Sequence, residues 1–152
     1  MKKMVSALVI AISMLLAGCG EEVGAIRVDI PGTWEGYISQ GNAPGTPNKG
    51  DLKLTINQDM ECTVAGFVDG NISEWGGAFH LEITGLCFVD GNKRLFGAVK
   101  AVRTREGSAP DSIMGTLSGE FNLVSAGAFG NWGADQGSLF GAAGLWTVLK
   151  DY

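Results

Sequence analysis

From residue 33 onward apolar side chains recur at every second position, the signature of half-buried strands. In 33–39, Trp34, Gly36 and Ile38 share a face. In 51–57, Leu52, Leu54 and Ile56 alternate with Asp51, Lys53, Thr55 and Asn57. Cys62, Val64, Gly66 and Val68 line one side of 61–68. In 78–89, Phe79, Leu81, Ile83, Cys87 and Val89 oppose His80, Glu82 and Thr84. In 94–103, Leu95, Gly97, Val99 and Ala101 oppose Arg94 and Lys100. The clearest run is 112–124, where Ile113, Gly115, Leu117, Gly119, Phe121 and Leu123 alternate with Met114, Thr116, Ser118, Glu120 and Asn122. The last run, 138–149, is apolar on both faces and its inside is not assigned. No helical period of ten residues or more appears after residue 18.

These runs and their short links predict an all-β antiparallel meander closing into an up-and-down barrel. Seven strands would close with the first and last parallel. Three alternatives remain: an eighth strand in 125–133, a break of 78–89 at Gly85, or an open barrel. Eight strands is the favoured reading. The pentapeptide Phe-Val-Asp-Gly-Asn occurs at 67–71 and again at 88–92. Asp-Gly between alternating runs predicts a type I′ hairpin turn at each copy. Asp69, Asn71 and Ser73 imitate the start of a calcium loop, but Glu74 stands where that loop needs glycine, so turn chemistry is preferred.

The chain opens differently. Lys2 and Lys3 precede an apolar run from Met4 to Leu16, closed by Leu16-Ala17-Gly18-Cys19. A basic start, a short apolar core and small residues before a cut describe a secretory signal. The run is shorter than the roughly 20 residues that cross a bilayer. Its ending resembles the lipobox of bacterial lipoproteins. The resemblance implies cleavage before Cys19 and acylation of that cysteine on sulfur and nitrogen, and so a partner in the membrane itself. Several acyl chains anchor a protein stably where one does not. Residues 1–18 are then signal, 19–31 a lipidated tether and 32–152 the barrel. In Gram-negative lipoproteins an aspartate after the cysteine marks inner-membrane retention. Gly20 stands there, which implies the periplasmic face of the outer membrane in such a host.

A second resemblance rests on Gly32-Thr33-Trp34. It is similar to the G-x-W opening of the calycin barrels, the lipocalins and avidins among them. That likeness implies a tryptophan, Trp34, plugging one end of the barrel, with a basic residue of the last strand, Lys150, packed over it. The other motifs of those families are absent.

Charge and composition narrow the function. Removing residues 1–18 from 152 leaves 134, and losing Lys2 and Lys3 from 11 cations leaves 9 against 16 acidic groups, a net of −7. Nucleic acid, which needs clustered cations, is excluded as a partner. Glycine stands at 24 of 152 positions, scattered along the chain, about twice the usual share. That pattern suits bent strands and tight turns. With Cys19 acylated, Cys62 and Cys87 remain in an oxidising compartment, and a pair there reads as a disulfide. Two cysteines 25 apart and one histidine make a poor zinc site, and no metal or cofactor is expected.

His80 and Glu82 point the same way on one strand, but no nucleophile accompanies them, and an exposed polar face explains them better than a general base. An enzyme is therefore not expected. Trp75 and Trp132 lie in glycine-rich segments read as loops. They are candidate binding anchors if exposed, or barrel caps if folded back. The 41–50, 69–77 and 104–111 connections fall at one end, where a ligand mouth would open. Leu86, Phe88, Phe96 and Ala98 form an apolar patch on the wall if the facing is right, and core if it is reversed. Two functions follow: a barrel binding a small ligand or envelope component without catalysis, or an interaction or inhibitor module using wall or loops. A dry cavity favours the first. A solid core with an apolar wall favours the second.

Overall fold

The computed structural model describes residues 28–41, 48–73, 76–137 and 141–152. Cys19 and Trp75 therefore lie outside the described residues, as does the segment 1–18 read as a signal. Eight strands follow in order: β1 (Gly32–Gln40), β2 (Lys49–Ile56), β3 (Glu61–Ile72), β4 (Gly77–Val89), β5 (Arg94–Thr104), β6 (Asp111–Asn122), β7 (Gly127–Gln136) and β8 (Ala143–Lys150). Each pairs antiparallel with its neighbours, and β1 also pairs with β8, so the meander closes into a barrel. The added strand is β7, and β4 runs unbroken through Gly85. Closure leaves no free sheet edge.

The facing follows the period-2 pattern. Inward residues form one buried cluster, from Val28 and Ile30 through Trp34, Leu54, Val68, Leu81, Leu117 and Val148. Val28 and Ile30 belong to this core, so packed structure is already present before Gly32. Inward glycines stand beside bulky neighbours. A Cβ at Gly119 would meet the Trp146 ring at 2.3 Å, and one at Gly85 would meet Val99 at 2.8 Å. Small against large is how a narrow barrel interior is filled.

The hairpins away from the long loops share a device that does not depend on Asp-Gly. At 88–92 the turn is present, but it is not type I′. Asp90 Oδ1 accepts the amides of Asn92 (2.8 Å) and Arg94 (2.9 Å), and Lys93 takes the left-handed conformation at φ 65°. This is a type I turn followed by a left-handed residue. Asn57 and Met60 (φ 64°) repeat it between β2 and β3. Asn122 caps the next hairpin, with Ala126 at φ 52°. The side-chain carboxyl or amide, bonding to amides ahead of it, sets each turn.

The first copy of the pentapeptide is not a turn. Asp69 and Gly70 lie within β3, opposite His80 and Phe79. Gly70 is there because a Cβ would strike the Phe79 ring at 2.5 Å and Asn48 Oδ1 at 2.5 Å. Asn48 is buried, accepts the Asn71 amide (2.9 Å) and donates to Gln40 Oε1 (3.1 Å). That packing extends the strand past the point where local chemistry alone would turn it.

Cys62 and Cys87 face each other across β3 and β4 and are joined as a disulfide, Cα to Cα 4.8 Å. Closing a loop of that length removes roughly 3 kcal/mol of chain entropy from the unfolded state.

Candidate functional site

The interior is filled. Among the described residues three tryptophans occupy it, and each indole N–H donates to a backbone carbonyl, as buried donors must. Trp34 donates to Ile30 O (2.8 Å), Trp132 to Ser39 O (2.7 Å), and Trp146 to Ser118 O (3.1 Å) and Asn131 O (3.2 Å). Trp132 is thus not an exposed loop anchor. It lies in β7, 7 % exposed, between Gly130 and Ala134 on the inward face. The segment read as loop is strand, and its tryptophan is core.

A space of about 20 Å³ remains among Ile38, Leu81, Ile83, Val99, Ile113 and Trp132. That is about the room one water needs, and its lining is apolar. No organic ligand fits there without repacking.

Polar groups close both ends of this core. At the end where the chain enters, Trp34 is fully buried and Lys150 Nζ sits 5.2 Å from its ring centroid. The ammonium donates to the carbonyls of Asp29 (3.0 Å) and Ile30 (3.4 Å), and to that of Pro31. Burial pushes the Lys150 ammonium below the usual lysine range, with Asp29 partly opposing. Gly32 belongs to the same arrangement: its φ of 126° suits glycine, and a Cβ would meet Lys150 Nζ at 2.5 Å. At the loop end Arg103 is buried and forms a two-pronged pair with Asp111, Nε to Oδ1 2.9 Å and Nη2 to Oδ2 2.5 Å. Sequence reading missed it, although Arg103 continues the inward series Leu95, Gly97, Val99, Ala101. A charge in step with a core face was the available signal.

His80 points outward. Its Nδ1 lies 2.6 Å from Asp69 Oδ1, and its ring stacks on Phe67 with centroids 5.7 Å apart. The carboxylate beside it is therefore Asp69 on the neighbouring strand, not Glu82. The pair is half-exposed on the outer wall. Among the described residues no three His, Cys, Asp or Glu side chains are placed to hold a metal.

The wall carries the exposed aromatics. Leu86, Phe88 and Phe96 are 71 %, 54 % and 41 % exposed, which fixes the patch as outward. Phe88 and Phe96 are direct cross-strand partners and stack with centroids 5.6 Å apart. With Leu86, Ala98 and Glu61 they line a shallow depression of about 570 Å³. Thr63, Thr116 and Ser118 border it from the adjoining strands. Of the long loops, 42–47, 74–75 and 138–140 lie outside the described residues, so the mouth expected there is described only in part.

No family model, curated protein or solved structure matches this chain. Its function therefore rests on the geometry above.

Proposed function

We propose that this chain is a lipid-anchored, non-catalytic interaction module, whose wall at Leu86, Phe88, Phe96 and Ala98 seats a protein of the cell envelope. One observation carries the reading: the interior is full while a stacked aromatic pair stands on the outside. Exposed apolar surface with a polar border is the usual form of a protein-binding patch. Acid-base catalysis needs a reactant held against a tuned group, and His80 stands half-exposed on the outer wall with Asp69 and Phe67 as its partners.

The anchor rests on Leu16-Ala17-Gly18-Cys19. Val28, the first buried residue among those described, follows Cys19 by nine positions, a reach of about 30 Å when extended. Acylation of Cys19 thus keeps the barrel close to the bilayer. Cys19→Ser should abolish acylation and leave the protein uncleaved or soluble. A mutant still fractionating with membrane as a lipidated species refutes the anchor.

The patch is tested by placing a photo-crosslinking phenylalanine analogue at Phe96 in living cells, with Lys53 on another part of the wall as control. A discrete adduct from position 96 alone is expected. Phe88→Asp should remove it, and His80→Ala should leave it unchanged. Equal adducts from both positions, or none from 96, would count against the proposal.

A further inference from the structure

The opposite side of the barrel carries a second set of exposed aromatics. β1 lies half-way round the ring from β5, and barrel closure sets it against β8. One register row there runs Phe129, Thr147, Tyr37, Asp51, since Phe129 faces Thr147, Thr147 faces Tyr37 and Tyr37 faces Asp51. The two aromatics are exposed (52 % and 58 %), and the short Thr147 side chain stands between them. The row opens into a groove of about 910 Å³, which Lys49 and Phe67 also line. Phe67 is half-buried and stacked on His80, so the free pair of rings is Tyr37 and Phe129.

The chemistry of this groove is mixed in a specific way. Two rings offer flat apolar faces. The Tyr37 hydroxyl, Asp51 carboxylate and Lys49 ammonium offer donors and acceptors at the margin. A ligand matching both must itself have an apolar face and a hydroxyl rim, which describes a pyranose. An extended peptide cannot dock by adding a strand, because the sheet has no edge.

The spacing goes further. Tyr37 and Phe129 sit on strands two apart, so their backbones are about 10 Å apart. In a β-1,4-linked glycan every second sugar presents the same face, and the two-sugar repeat is about twice the strand spacing. We infer that the Tyr37–Thr147–Phe129 groove binds a β-1,4-linked pyranose glycan, with one sugar against each ring and the intervening sugar over Thr147. This site is independent of the Phe88–Phe96 face, so either surface can fail without the other.

The test uses the mature lipidated protein in a non-glycosidic detergent. It is sedimented with purified, protein-free peptidoglycan sacculi, and chitohexaose is titrated in as soluble competitor. Binding to sacculi and displacement by chitohexaose are expected, with maltohexaose, which is α-1,4-linked, failing to displace. Tyr37→Ala and Phe129→Ala should each weaken binding about tenfold or more, the effect of losing an anchoring aromatic. Thr147→Trp, which fills the trough, should abolish it. Phe96→Ala, on the far wall, should bind as the parent does. Displacement by sacculus stem peptides alone would assign the contact to peptide and overturn the inference. Absent binding, equal displacement by maltohexaose, or unchanged binding in Tyr37→Ala and Phe129→Ala proteins of parental thermal midpoint would overturn it as well.

Discussion

Replacing Trp34 by alanine is expected to cost the barrel about 3–5 kcal/mol, the range for emptying a large aromatic site in a packed core. Three interactions go with the ring. Its edge-on contact with Phe121, centroids 4.8 Å apart at 75°, is lost. The carbonyl of Ile30 loses its indole donor at 2.8 Å. Lys150 loses the ring beneath it while its bonds to the 29–31 carbonyls remain. The site cannot collapse easily, because the strands around it are tied into a closed sheet. Denaturant unfolding should show a lower midpoint at unchanged slope. Trp34→Phe keeps most of the volume but not the N–H, and should lose much less, with about 1 kcal/mol of that from the hydrogen bond. A loss below about 1 kcal/mol in Trp34→Ala, where Phe or Trp to Ala in a core normally costs 3 or more, would remove Trp34 from its role as plug.

Gly144→Ala is the second large effect expected, from adding a single methyl group. A Cβ at position 144 would stand 1.8 Å from Ser39 O and 2.3 Å from Trp132 Nε1. The Trp132 indole lies there to reach Ser39 O, so the methyl collides with both partners of one hydrogen bond. Overpacking a core typically costs 1–3 kcal/mol, and the broken bond adds about 1 more. An expected loss of about 3 kcal/mol follows, visible in the thermal midpoint and in tryptophan fluorescence. Gly91→Ala is the internal control: no atom lies within 4 Å of the added carbon, and its φ is not in the left-handed range. It should be nearly neutral. Equal destabilisation by both would show that the glycines matter for flexibility rather than for the space they leave.

Those glycines also explain what the sequence did and did not disclose. Where inward positions carry Leu, Ile or Val, as in β2 and β6, the alternation was plain. In β7 the inward series is Ala128, Gly130, Trp132, Ala134, equally periodic but too small in side chain to register. The strand was therefore one of three alternatives, and its tryptophan was misplaced on a loop. Turns misled for a related reason. Asp-Gly drew attention to glycine, whereas the capping groups are Asn57, Asp90 and Asn122, and the left-handed residues are Met60, Lys93 and Ala126. The pairing of Cys62 with Cys87 was legible because facing and compartment both pointed to it. The wall patch was legible up to the choice of facing. The groove was not, because Tyr37 lies 110 positions before Thr147 and only closure of the barrel makes them neighbours.

Recognition on the wall of a filled barrel is the proposal that a single measurement tests most directly. Methyl and aromatic NMR of the full mature protein, titrated with solubilised envelope proteins, addresses it directly. Shifts or broadening are expected at Leu86, Phe88, Phe96 and Ala98, while the interior reporters Ile83, Ile113 and Leu117 stay in place. Perturbation of those interior methyls with a silent wall would show a ligand entering the barrel and would contradict it.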